Sequence, residues 1–415
     1  MRNSLLIIFL MFWNVAISQE NKVVDWNSDI NFIKDELPKN HYNLYMVKTE
    51  QDFLKGLDQI AKQQNQLSNF EVAIKLQQLI ASLGDLHTSL ALNSFLDPNK
   101  LLPLGLMWFS DGIWVQFTTK DNEAILGSKL LKINDFPIQQ VVDSLSTLTT
   151  IDNQATVKKT IPKMIPVLQV LECFGFSSSD SVQLQLESNG EIINTIIHPE
   201  KTERNNLMRV IPDPIPLCYQ NERAFFWQSI QKKENVYYIQ YNKCYSRENP
   251  PPAFRGDVQQ LPSFNEFSDT LINTISRNNF DKIIFDIRFN GGGNSALGTE
   301  LIKRLSAVEK ANKKGKLYVI TGRETFSSAI INAMDFKKKT NAILVGEETS
   351  GKPNHLGEIK FLKLPSSGVS LAYSTNYFKT TENNLKSIVP DQIIEQSFAD
   401  FKEGRDPVYE WIVKQ

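Results

Sequence analysis

Cysteine, histidine and net charge are all scarce in this chain, and each shortage removes a class of explanation. Cys173, Cys218 and Cys244 are the only cysteines among 415 residues. They are odd in number, widely spaced and without a metal-ligand pattern, so at most one disulfide can form and no disulfide framework carries the fold. The four histidines, His41, His87, His198 and His355, stand singly, which leaves no spacing from which to build a metal centre. Lys+Arg 45 against Asp+Glu 46 gives a formal net charge of −1, so no global field recruits nucleic acid or an anionic membrane. After the N-terminal segment no apolar run approaches the ~20 residues needed to span a bilayer.

What is present begins with a targeting signal. Arg2 gives a short basic start, Leu5 to Phe12 is apolar, and Ala16-Ile17-Ser18 places small residues where a signal peptidase reads, ahead of Gln19. Residues 1–18 are therefore expected to be a cleaved secretory signal, the mature chain to be exported, periplasmic or secreted, and no stable membrane insertion to remain. The length allows two or three domains, and 41% hydrophobic residues supports substantial cores.

Three regions follow. Residues 19–95 read as a helical domain: Ser68 to Glu71 is a capping-box signature, Val72, Leu76, Leu79, Ile80 and Leu83 recur at helical spacing, and Gly84 ends the run. Residues 96–205 shift to strand periodicity at Ile113–Phe117, Leu130–Asn134 and Val182–Leu186. The string from Leu126 to Pro137 partially resembles the closing half of a PDZ domain, with Leu104-Gly105-Leu106 standing where a carboxylate-gripping loop would lie. Pro250-Pro251-Pro252 marks an exposed, irregular segment. Within 206–415 strand and helix alternate: the strand Lys282–Ile287, a turn at Asn290-Gly291-Gly292-Gly293, a helix from Leu297 to Leu305, and the strand Lys316–Thr321. A helix from Ser327 and the strand Ala342–Val345 complete the run. Such alternation predicts an α/β core with a parallel sheet, whose right-handed crossovers bring the turns after successive strands to one edge, where ligands bind.

Two of those turns carry chemistry. Ser327 stands at a strand-to-helix corner, at a helix N-terminus where unpaired backbone N–H groups favour negative charge. The glycines after Asn290 let the backbone approach a substrate oxygen with no Cβ in the way. An N–H near Gly292 together with that of Ser328 would form an oxyanion hole. Lys352 lies 25 positions after Ser327 in Ser350-Gly351-Lys352; a free lysine has a pKa of ~10.4, and burial beside apolar groups lowers it enough for a Ser/Lys pair to work. Taken singly, a serine before a helix is an N-cap, a triple glycine a tight turn, and a lysine after a loop a surface charge.

Together these residues resemble the S41 peptidases, the tail-specific or C-terminal-processing proteases, over about the last 180 residues. Asp286-Ile287-Arg288-Phe289-Asn290-Gly291-Gly292-Gly293, Ser327-Ser328-Ala329, the segment Val345 to Lys352, and Val389-Pro390-Asp391 each resemble a family motif. The resemblance implies a ClpP/crotonase-like parallel-sheet core, Ser327 as nucleophile and Lys352 as general base. It departs at Leu356, where the processing branch has a glutamine that orients the lysine. Gly84-Asp85-Leu86-His87-Thr88 resembles instead the G-D-x-H-T string of the tricorn-like branch, in which the histidine is the base and a late glutamate supports it; Glu382 is best placed for that role here. Lys352 and His87 thus stand as alternative bases. The implied protein is an exported serine endopeptidase acting on polypeptides through an acyl-enzyme, without a cofactor. The competing expectation is a catalytically silent relative that binds peptides or small hydrophobic ligands in the same cleft.

Overall fold

The computed structural model describes residues 23–201 and 204–415; the expected signal segment lies outside the described residues. Its centre is a six-stranded sheet in the order Gln392–Ile393, Ile343–Gly346, Leu317–Thr321, Lys282–Asp286, Val236–Tyr241 and Phe226–Gln231. All neighbours are parallel except the last pair. The strands Val236–Tyr241 and Leu317–Thr321 are buried along their whole length, as parallel strands covered on both faces must be. Alternate side chains divide between two cores. Tyr237, Ile239, Phe285 and Val319 face the helices Phe264–Arg277, Ala296–Ser306 and Ser328–Lys339, while Tyr238, Ile284, Tyr318 and Ile320 face Val408 and Ile412 of the C-terminal helix.

The β-rich region forms a second sheet, in the order Leu104–Phe109, Gly112–Thr119, Lys129–Ile133, Val182–Ser188 and Glu191–Ile197. The PDZ-resembling string from Leu126 to Pro137 contains the strand Lys129–Ile133, a turn with Asn134 at φ 50° and the two-residue strand Phe136–Pro137, ahead of the helix Ile138–Leu145. Leu104-Gly105-Leu106 is not a free loop. It lies within a strand paired to Thr118, Phe117 and Val115, with a register shift at Gly105/Leu106, and the Phe117 ring occupies the space a Cβ at Gly105 would need. The tripeptide lies on the outermost strand of this sheet, paired on one side only.

The N-terminal helices Trp26–Asn40, Glu50–Gln63 and Asn69–Ala81 share one core with a hairpin from the far end of the chain. Leu57, Leu76 and Ile80 pack with Leu364, Leu371 and Tyr373. The capping box forms: Glu71 N–H donates to Ser68 Oγ and Ser68 N–H to Glu71 Oε2. Beyond that helix, Ser89–Leu90 pairs with Leu371 and Ala372 of the strand Ser370–Phe378, which in turn pairs with His355–Lys363. This three-stranded sheet carries the His87 turn, 240 residues from Ser327 in sequence, towards the edge of the central sheet. No helix among the described residues is long and apolar enough to cross a membrane. Cys173, Cys218 and Cys244 are all free.

Candidate active site

The turns after two adjacent strands of the central sheet are sewn together by hydrogen bonds. Thr325 Oγ1 donates to Ile287 O at 2.9 Å, Phe326 N–H to Asn290 O at 3.0 Å, and Ser328 Oγ to Gly293 O at 2.8 Å. Asn290, fully buried, donates from Nδ2 to Tyr241 O. Below the turn, Tyr238 and Arg288 grip Asp286, and Arg288 reaches on to Asp406 at 2.9 Å.

Ser327 emerges from this scaffold with φ 54° and ψ −123°, a conformation that costs a non-glycine residue roughly 1–3 kcal/mol and persists only where the surroundings impose it. A sharp, strained strand-to-helix turn is how hydrolases expose a nucleophilic hydroxyl. Its side chain makes no capping hydrogen bond to the helix it precedes, so the ordinary N-cap role is not what holds it there.

Gly292 packs directly on the serine. A Cβ built there would lie 2.9 Å from Ser327 Cβ and 3.1 Å from Ser328 N, and its φ is +104°. Its own N–H, however, donates to Asn290 Oδ1 at 2.9 Å, so Gly292 supplies close approach and not the oxyanion donor expected of it. Among the described residues the N–H groups of Gly293 and Ser328 have no such partner, which leaves them as the pair free to bind an oxyanion.

The two candidate bases occupy different environments. Lys352 forms an ion pair with Asp152 at 2.6 Å, its side chain 24% exposed and that of Asp152 6%. That ion pair engages the Lys352 Nζ, so it is not free to face Ser327 as a base. Burial pushes the Asp152 carboxyl up, against the pull of Lys352.

His87 is buried, and its ring stacks on Phe326, the residue before the nucleophile, with centroids 4.7 Å apart and planes at 21°. Both ring nitrogens are buried and lack a hydrogen-bond partner among the described residues. Burial, outweighing the attraction of Asp85, pushes its pKa down to about 4. The imidazole is therefore neutral at pH 7 and able to accept a proton.

Asp85 builds the turn that presents this ring. It accepts from His87 N–H at 2.9 Å, Thr88 Oγ1 at 2.5 Å, Ser374 Oγ at 2.6 Å and His41 Nε2 at 3.1 Å. His41 Nδ1 accepts from Asn43 N–H, which fixes its proton on Nε2, facing Asp85. These donors outweigh desolvation and hold the Asp85 carboxyl down to about 2. Asp85 Oδ1 is 3.8 Å from His87 Nδ1, beyond hydrogen-bond reach.

Glu382 does not support the histidine. Its side chain is 87% exposed and pairs with Lys379 at 2.6 Å, because it stands in the turn after the strand Ser370–Phe378, where its carboxylate meets water and surface lysine. Asp85 is the acid nearest His87, and it sits inside the very string that nominated the histidine. Lys159, Asp152 and His355 also converge on the site and were not foreseen. Lys159 and Asp152 come from the β-rich region with no local pattern to mark them; His355 stacks on His87 at 5.9 Å and points Nδ1 at the carbonyls of Lys352 and Pro353.

Fold and site together describe a serine-hydrolase type of centre: an elbow serine, main-chain donors and a buried imidazole. Residues 302–394 match the family model of Peptidase family S41, and over that segment the chain is similar to the S41 serine peptidases. No curated protein matches the chain in sequence. Among solved structures, mature CPAF complexed with lactacystin is 13% identical, with TM-score 0.63 over 94% of this chain and 97% of that one. Mature CPAF alone is 14% identical, with TM-score 0.61 over 93% and 95%. The fold is thus shared nearly end to end, the N-terminal helices and β-rich region included.

Proposed function

We propose that the protein is an exported serine endopeptidase in which Ser327 attacks a peptide carbonyl and His87 takes its proton. The tetrahedral oxyanion is received by the N–H groups of Gly293 and Ser328, and His87 returns the proton to the leaving amine, leaving Ser327 acylated. Water, deprotonated by the same imidazole, then releases the acid and restores the serine. Lys352, paired with Asp152, holds the loop after the strand Ile343–Gly346 in place. The observation that carries this reading is the strained, uncapped Ser327 next in the chain to Phe326, on whose ring a buried imidazole stacks.

Export rests on the N-terminal sequence pattern alone. The test of function is hydrolysis of unfolded protein substrates by the purified mature chain, with and without Ser327→Ala. Cleavage by the wild type and none by the variant supports the proposal. A folded wild type that cleaves nothing and resists a serine-directed fluorophosphonate supports the silent, ligand-binding alternative.

A further inference from the structure

Two lysines of the β-rich region reach the nucleophile turn: Lys163 pairs with Glu324 at 3.2 Å, and Lys159 reaches on to the aromatic ring beside the serine. Lys159, on the helix Gln154–Thr160 of the β-rich region, places Nζ 4.5 Å from the centroid of the Phe326 ring. The lysine side chain is 19% exposed. Its Nζ lies 3.2 Å from Ser350 Oγ and 3.8 Å from Glu324 Oε2. His87 stacks on Phe326 at 4.7 Å, so cation and imidazole both rest on the same phenyl ring. Phe326 is itself fixed through its N–H to Asn290 O and adjoins Ser327 in the chain. The same helix holds the Thr349–Lys352 loop: Thr156 Oγ1 donates to Ser350 O at 2.5 Å and Asn153 Nδ2 to Thr349 O at 3.0 Å.

We propose that Lys159 is a positioning residue for the Ser327 reaction: from the β-rich region it pins the Phe326 ring on which His87 rests and keeps a positive charge near the imidazole. The inference rests on His87 being the base. A cation on the face of an aromatic ring is attracted to it, the more so when desolvated, so the contact orients the ring while its charge acts on the imidazole. Burial lowers the pKa of Lys159 and Glu324 opposes that; the charge of Lys159 in turn adds to the burial that lowers His87. The other charged or titratable groups around His87 are Asp85 and His41 on its own side, His355 from the hairpin, and the Asp152–Lys352 pair beyond it. Lys159 is the only one of these that touches the ring on which the imidazole rests.

The test is the titration of the His87 imidazole, followed by NMR in the full-length mature protein and assigned with His87→Ala, beside the acid limb of kcat/KM. Lys159→Met keeps the length and removes the charge; Lys159→Arg keeps the charge. The two centroid spacings put the charges at most about 9 Å apart, where loss of one cation in a partly screened site raises the neighbour by about 0.5–1 pH unit or more. The expected result is that upward shift of His87 in Lys159→Met, the acid limb moving with it, and neither in Lys159→Arg. Should Lys159→Met fail to fold by thermal melting, Lys159→Gln takes its place. An unmoved imidazole overturns the proposal even if activity falls, because that outcome is a merely structural role. A shifted imidazole with an unmoved acid limb places the failure in the assignment of His87 as base, and overturns the catalytic consequence given to Lys159.

Discussion

Gly292→Ala inserts one methyl group at the closest packing point of the site. The new Cβ would sit 2.9 Å from Ser327 Cβ, 3.0 Å from Phe326 O and 3.1 Å from Ser328 N, against an ordinary carbon–carbon contact of about 3.5–4.0 Å. Roughly half an ångström must be found. The glycine strand cannot easily give, since Cys244 N–H donates to Gly292 O and Gly292 N–H to Asn290 Oδ1, so the displacement falls on Ser327. Alanine at φ +104° adds strain of about 1–3 kcal/mol, which should appear as lower stability in urea unfolding. A misplacement of 1 Å costs on the order of 10²-fold in rate, so half an ångström at nucleophile and oxyanion donors should cost on the order of tenfold. The assay is the second-order rate of fluorophosphonate labelling, beside peptide hydrolysis. Gly291→Ala is the internal control: a Cβ there meets nothing within 4 Å, and stability should stay within about 0.5 kcal/mol of wild type. Wild-type labelling by Gly292→Ala, with unchanged stability, would refute the packing argument.

Three further outcomes follow from the charges. Asp85 is held down to about 2, so its contribution is complete above its unfolded value near 3.9 and is lost as pH falls towards 2; about 2 kcal/mol should disappear over that window. Urea unfolding at pH 5 and pH 2.5 measures it, and Asp85→Asn should flatten the difference. His87, lowered to about 4, stays neutral through mildly acidic conditions, so kcat/KM on an uncharged peptide should hold from pH 7 to 5 and fall near 4; a limb near the ordinary histidine value of ~6.5 would contradict its burial. Lys352→Met leaves the buried Asp152 carboxylate unpaired and should cost about 3 kcal/mol, while Asp152→Asn with Lys352→Met should recover part of it, giving a coupling of about 1–3 kcal/mol in a double-mutant cycle.

The central sheet was legible because its strands are apolar runs separated by helices with 3.6-residue periodicity, and the observed strands Leu317–Thr321 and Ile343–Gly346 lie within a residue of the expected bounds. Ser327 and the glycine turn could be brought together from topology alone, since both follow parallel strands of one sheet. What sequence could not supply was side-chain pairing across distant segments. Lys352 reads as a base until Asp152, 200 residues earlier, is seen to engage its amine in an ion pair. Glu382 reads as a partner for His87 until its turn is placed in solvent. The Gly292 N–H reads as a donor until Asn290, two residues before it, is found to have taken it. Lys159 carries no local signal, because a lysine on a short helix differs from any surface lysine only in what the fold sets opposite it.

The central claim is that the Ser327 hydroxyl is activated by the neutral imidazole of His87 and not by the amine of Lys352. The most direct measurement is the rate of fluorophosphonate labelling at pH 7 for wild type, Ser327→Ala, His87→Ala and Asp152→Asn/Lys352→Met. The account predicts labelling of the wild type, none of Ser327→Ala, a loss on the order of 10²–10⁴-fold in His87→Ala, and labelling of the double variant within an order of magnitude of wild type. Loss in the double variant with retention in His87→Ala would contradict it.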